Sequence, residues 1–464
     1  MNVPFKPSAS AASTGPEAGV TAAVVAATRA ISYDDLPSGV VAATKRVLLD
    51  TLAVAWAAGE AAGVNAARAL ALRGAPGHAT LWGHRGTRRE PSAAAFFNGT
   101  LAAALDFDSL AGQIHADIIT APAALAVAEQ QRRNGRELIA ALALGNELAI
   151  RLAGAMFTNK GFFHTSIAGI FGAALASARL RGLDAGRTHN ALGIALCQAG
   201  GTQQSHVEQR LTKRLQSAFA ARDGVISADL AALGVTGPRA AFEGPFALFA
   251  LFEEGTADTV LADFGRRFLL EETSLKRFPA CGCSHAALQA TLDLVRRHGI
   301  GADDVKRGEI VITPYMHRLV GGAFAPEANP QVAGQFNVRY GVAAILLRGG
   351  FGLADIEPEA VLDPAIRPLV ERLDVRVDGS REGTFAPADV TIETHDGRSL
   401  HTRFDALPGS REAPLAEEEA YAKLIAAFTY GPSALTEAQA EALIQRVHRL
   451  EGVDDIATLF DAVR

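Results

Sequence analysis

Three histidines stand beside residues suited to start helices, and that placement carries chemistry. His164 precedes Thr165 and Ser166, good N-caps for a helix over Ser166 to Gly182. His285 follows Ser284, a cap for the next helix. His115 lies in a loop shortly before Thr120-Ala121-Pro122, where proline suits a first helical turn. A helix N-terminus has partial positive charge and free N–H donors; it favours neutral imidazole and attracts carboxylates. Proton abstraction beside a carboxylate needs such a pairing of neutral imidazole and anion site. Taken singly, each histidine also reads as an ordinary polar residue at a helix end.

Cations accompany them. On a helix, Arg210, Lys213 and Arg214 fall at three-four spacing and make one patch able to receive a di- or tricarboxylate. The competing reading is a solvated helix face partnered by Glu208 and Asp223. The run Cys281-Gly282-Cys283-Ser284-His285 offers three metal-type ligands, but this adjacent spacing fits no common zinc knuckle. A Cys281–Cys283 disulfide would be strained. No metal is expected. Phosphate-loop, nucleophile-elbow and HExxH patterns are missing, and no strand leads into Gly169 and Gly172, which argues against a dinucleotide fold.

The framework that must position these groups is read from periodicity. From about Gly19 to Leu270 the sequence is helical in style, with Val41, Lys45, Leu48, Leu49, Leu52 and Ala53 at helical spacing. Ala and Gly dominate Ser166 to Gly182, so this helix should lie centrally against close neighbours. Ala79 to Arg85 suggests a short strand or extended loop. Beyond Phe268 the style changes: a helix over Ser284 to Arg297, a strand over Gly308 to Tyr315 and a short one over Asp374 to Val377. A hairpin follows over Val390 to Phe404, turning at Asp396-Gly397. Helices return at Glu417 to Phe428 and Glu437 to Leu450. The expectation is a mainly α protein: a tail over 1–20, a helical domain built from 21–268 and 413–464, and an inserted α+β lid over 269–412.

Composition excludes several classes. The 464 residues are 49% hydrophobic and 20% charged, enough for a large core. With 44 Lys+Arg against 50 Asp+Glu the net charge is -6, which does not suit a nucleic-acid binder. Three cysteines make no disulfide framework, so a reducing cytoplasm is expected. The apolar run Val40 to Gly59 is broken by Lys45, Arg46 and Asp50, so no membrane span of about 20 apolar residues is expected. The first twenty residues read as a tail, not a signal peptide.

The order of several segments resembles the MmgE/PrpD family, which contains 2-methylcitrate dehydratase, cis-aconitate decarboxylase and iminodisuccinate epimerase. Asn98 to Asp108 is similar to its NGxxxHxxDFDD pattern, and His164 to Ala174 to its glycine- and alanine-rich HPT/S segment. Asn190 to Ala195, Thr212-Lys213-Arg214-Leu215, Ala220 to Gly224, Lys276 to His285 and Gln335 to Tyr340 follow in order, over about residues 25 to 460. Two stretches depart from the pattern. DFDDT is here Asp106-Phe107-Asp108-Ser109-Leu110, and His-Pro-Ser is His115-Ala116-Asp117.

The resemblance implies a helical domain with a smaller α+β lid, a homodimer and no cofactor. It implies a lyase, dehydratase or decarboxylase, acting at the carbon α to a carboxylate of a small di- or tricarboxylic acid. An epimerase or a silent carboxylate-binding homologue is the alternative. Asp106, His115, His164, Lys213 and His285 are the matched polar positions. Catalysis is expected from His164, His285, Asp106 and His115, and substrate binding from Lys213, Arg214 and Lys276. Lys213 would clamp the developing charge, and closure of the lid would bring His285 into a pocket shared with His164 and Lys213.

Overall fold

The structure is a computed structural model that describes residues 19–84 and 86–463. The expected tail over 1–20 therefore lies outside the described residues, except at its end: Val20 already begins the helix Val20–Ala30.

The protein is mainly α. Its centre is the helix His164–Leu180, of which only Arg179 escapes full burial. It packs against the helices Gly135–Gly154, Asp117–Gln131 and Thr212–Ala232. Small side chains make this crowding possible. A Cβ on Gly172 would come within 2.5 Å of the Gly145 carbonyl oxygen, and one on Gly224 within 2.4 Å of the Ala173 Cβ. These backbones approach to a separation that only glycine permits.

The apolar run that a membrane reading would have wanted forms the helix Ser38–Ala57. Its charges are all used: Lys45 pairs with Glu451 at 2.9 Å, Arg46 donates to the Thr273 carbonyl at 3.1 Å, and Asp50 meets Lys423 at 2.5 Å. Lys423 belongs to the helix Glu417–Phe428, which packs on Ser38–Ala57. Among the described residues no helix is long and apolar enough to cross a membrane.

Strands are few. β1 (Ala79–Thr80) and β2 (Arg88–Arg89) pair antiparallel. The larger sheet contains β3 (Val305–Ile312), β4 (Leu373–Val377), β5 (Ala388–Thr394) and β6 (Ser399–Phe404), ordered β4-β3-β5-β6. β4 runs parallel to β3, and the other pairings are antiparallel. β5 and β6 form the hairpin expected from alternation, with Gly397 at φ 90° in its turn. The strand expected to reach Tyr315 stops at Ile312, because Thr313 caps a short helix over Pro314–Val320 with its hydroxyl on the Met316 N–H. The sheet packs against the helix Gly282–His298, which also packs on Val338–Arg348.

Candidate active site

The segment that leaves the helix Pro91–Ala104 carries two carboxylates and turns sharply. Asp106 has φ 51°, a left-handed conformation that Asp tolerates better than most residues. Lys276 holds this turn: its Nζ donates to the Asp106 carbonyl at 2.7 Å and lies 3.2 Å from Asp106 Oδ2. Lys213, from the first turn of Thr212–Ala232, pairs with Asp106 Oδ1. Burial pushes the Asp106 carboxyl up, but the two ammonium groups and His115 outweigh it and hold it well below the ordinary carboxylate range. From behind, Lys423 Nζ donates to the Phe107 carbonyl at 2.8 Å and sits 4.1 Å from the centre of the Phe107 ring. Reciprocal backbone bonds of 2.9 and 2.8 Å join Leu110 to Ser274.

Two of the imidazoles that border the same cleft are each backed by a buried carboxylate. His115 Nδ1 lies 2.6 Å from Asp108 Oδ2 and 3.0 Å from the Ser109 carbonyl oxygen. The His115 backbone N–H donates to Thr165 Oγ1 at 3.2 Å, tying this loop to the His164 helix. His164 Nε2 lies 3.2 Å from Glu253 Oε1. Glu253 is fully buried and also accepts from Thr158 Oγ1 at 2.6 Å and from the Lys160 N–H at 2.9 Å. It therefore fixes both the histidine and the loop before it.

The cleft is narrow, about 60 Å³. Asp106, His115, His164 and Lys213 line one side, and Cys281, Cys283, Tyr315 and Phe336 face them from later in the chain. Lys213 Nζ stands 5.2 Å from the centre of the Phe336 ring. His206 also borders the cleft, between Phe163 and Phe336. Burial and the neighbouring Lys213 push its pKa down to about 3, so it is neutral at physiological pH. A larger hollow of about 280 Å³ lies by Trp56 and Ser433, but His84 is its sole titratable lining residue among those described. Chemistry points to the smaller cleft.

Four expected positions therefore meet: Asp106, His115, His164 and Lys213. Three do not reach the cleft. His285 is fully buried inside its helix, with Nε2 3.1 Å from the Ala280 carbonyl and Nδ1 without a hydrogen-bond partner. Burial, reinforced by Lys276, pushes its pKa down to about 3. The helix begins at Gly282, so the residues at its mouth are Cys281 and Cys283, and His285 sits one turn deeper. Lys276 is buried beneath Asp106. Arg214 points into the protein, donating to the Ala62 carbonyl at 2.7 Å and to Gln335 Oε1 at 3.2 Å. The expected patch is thus dispersed, with Arg210 on the surface 3.5 Å from Glu208.

The helix starts also differ from expectation. The central helix begins at His164 with Phe163 as its N-cap, and Ser166 Oγ donates instead to the Gly200 carbonyl at 2.6 Å. The helix after His115 begins at Asp117, which puts Pro122 inside it. Sequence reasoning missed Asp108, Glu253, His206 and Tyr315. Asp108 was legible in the DFD motif; Glu253, His206 and Tyr315 carry no periodic signal. Among the described residues, no group of three or more His, Cys, Asp or Glu side chains is placed to hold a metal ion.

Comparison with known proteins identifies the family. Residues 19–260 match the MmgE/PrpD N-terminal domain and residues 278–450 the MmgE/PrpD C-terminal domain. The chain is 28% identical over 446 residues to a cis-aconitate decarboxylase-like protein, oryM, of Aspergillus oryzae, covering 87% of this chain and 89% of that one. It is 25% identical over 460 residues to the cis-aconitate decarboxylase of Homo sapiens, covering 95% and 93%. With that of Aspergillus terreus the identity is 26% over 484 residues, covering 97% of both. The two matched domains account for most of the chain, which belongs to the MmgE/PrpD family.

Proposed function

We propose that this protein is a lyase of small carboxylic acids and that its reaction is decarboxylation of a cis-aconitate-like tricarboxylate. One observation carries the reading: a single cleft joins a cation, Lys213, to two imidazoles that are each backed by a buried carboxylate. The names of the relatives supply the substrate class. In the reaction the bond to one carboxylate breaks, CO2 leaves, and the electron pair remains on carbon, spread into the adjacent unsaturated acid. Lys213 stabilises that developing charge. An imidazolium, His115 or His164, then delivers a proton to carbon. The cleft is smaller than an ordinary ligand pocket, so we read 269–412 as a lid that opens to admit the substrate. We also propose a cofactor-independent homodimer, the form that the family resemblance implies, in the reducing cytoplasm that three free cysteines suit.

Proton NMR in deuterated water tests the reading. Purified protein is given cis-aconitate and, separately, a citrate-like hydroxy acid. Loss of CO2 from cis-aconitate with one deuteron placed on the product carbon is expected. Loss of water from the hydroxy acid alone would make the protein a dehydratase, exchange with inversion would make it an epimerase, and unchanged spectra would leave a binding protein.

A further inference from the structure

We propose that Asp108 is a positioning residue for His115, holding its ring so that every proton the histidine takes or gives passes through Nε2. The inference rests on the acid/base reading of the cleft. His115 Nδ1 faces two acceptors, Asp108 Oδ2 at 2.6 Å and the Ser109 carbonyl at 3.0 Å. A ring nitrogen placed between two acceptors must carry hydrogen. In the neutral ring the lone pair is then on Nε2, which has no hydrogen-bond partner among the described residues, on a side chain that lines the cleft.

Asp108 suits this role. Its carboxylate is buried and 1% exposed; Oδ2 has no hydrogen bond of regular geometry and its close partner is His115 Nδ1 at 2.6 Å, while the aligned hydrogen bond of Nδ1 runs to the Ser109 carbonyl. Burial pushes its pKa up, but His115 and Lys276 override this and keep it below the ordinary carboxylate range, so it is an anion. Other buried carboxylates nearby are committed elsewhere: Asp106 to Lys213 and Lys276, Glu253 to His164, Asp50 to Lys423, and Asp117 to Asn146. The backbone on both sides of Asp108 is pinned, by Lys423 at Phe107 and by the Leu110–Ser274 bonds. A carboxylate fixed in this way sets tautomer and orientation and stabilises the imidazolium, the part that aspartate plays behind the histidine of serine proteases. His164 is held through its other nitrogen, Nε2, by Glu253. These two imidazoles are thus anchored through opposite ring positions.

Nitrogen-15 spectra of histidine-labelled full-length protein test this without a substrate, with His115 assigned through a His115→Gln variant. At a pH where the ring is neutral, the wild type should show His115 protonated at Nδ1. Asp108→Asn presents an amide donor to Nδ1 and should move the population toward the Nε2–H form. With cis-aconitate, the same variant should lose roughly 10²-fold or more in kcat, with KM changed only a few-fold. Asp108→Glu should restore part of the loss. A wild-type ring protonated at Nε2 overturns the proposal, as does an Asp108→Asn variant with wild-type kcat or one slowed with unaltered His115 signals. If Asp108→Asn fails to fold, the wild-type tautomer and the Asp108→Glu variant decide. If the wild type turns over no acid, the acid/base reading fails while the tautomer is still read.

Discussion

Lys213 is the cleft's cation, and its partner Asp106 is locked in place by Lys276, so the ammonium is aimed before any substrate arrives. Lys213→Ala should lower turnover of the proposed substrate by about 10²–10³-fold and leave the fold intact, as circular dichroism would show. Activity within a few-fold of wild type would place Lys213 outside the chemistry. Asp117 supports a pH prediction. Burial raises its pKa to about 6, with a 2.6 Å hydrogen bond from Asn146 opposing the rise. The folded state thus keeps a proton that the unfolded chain releases near pH 4. The stabilising contribution is complete below pH 4 and is lost as pH rises through 6; the lost amount is on the order of 3 kcal/mol. Asp117→Asn does not titrate, so its melting temperature relative to wild type should climb between pH 4 and pH 8. A constant difference would show that Asp117 titrates normally. At this scale the sequence was partly legible. Asp106, His115, His164 and Lys213 could be picked out by type and motif, but burial is invisible in a motif, and His285, Lys276 and Arg214 resemble cleft residues until their surroundings are known.

Elements were more legible than their ends. The β5–β6 hairpin follows from strict alternation around Asp396-Gly397, and the central helix from its small residues. The start of that helix was misplaced by two residues because its N-cap, Phe163, has no side chain able to cap. Pro122 misled in the same way: it sits inside a helix that Asp117 starts. The close crossing of Gly145 and Gly172 yields a test. Gly172→Val would drive methyl groups into the Gly145 carbonyl and the Thr120 side chain, and neither helix can retreat from a fully packed centre. The variant should lose about 1–3 kcal/mol or more in urea unfolding. Because His164 rides on the displaced helix, the activity of the remaining folded protein should fall too. Unchanged stability would mean that the crossing is looser than described.

Across the whole molecule, residues far apart in sequence share buried charge. Asp50 and Lys423 are both buried, and burial raises the carboxyl pKa while lowering that of the amine. Lys423→Met strands Asp50 and should cost about 3–5 kcal/mol, whereas Lys423→Met with Asp50→Leu should regain most of it. An undiminished penalty in the double variant would show that Lys423 acts through something other than this pair. That second function is visible: Lys423 also braces the Phe107 carbonyl, between Asp106, which lines the cleft, and Asp108, which backs His115. The double variant should therefore recover stability more fully than turnover. The brace has a consequence in time. A ribosome releases the chain from its N-terminus, so every residue lining the cleft emerges before the helix that carries Lys423. A half-made chain can own all the reacting side chains and still lack the strut behind the turn that carries Asp106 and Asp108. The geometry of the Asp106–Asp108 turn is thus completed only when the late segment Glu417–Phe428 has docked on the early helix Ser38–Ala57.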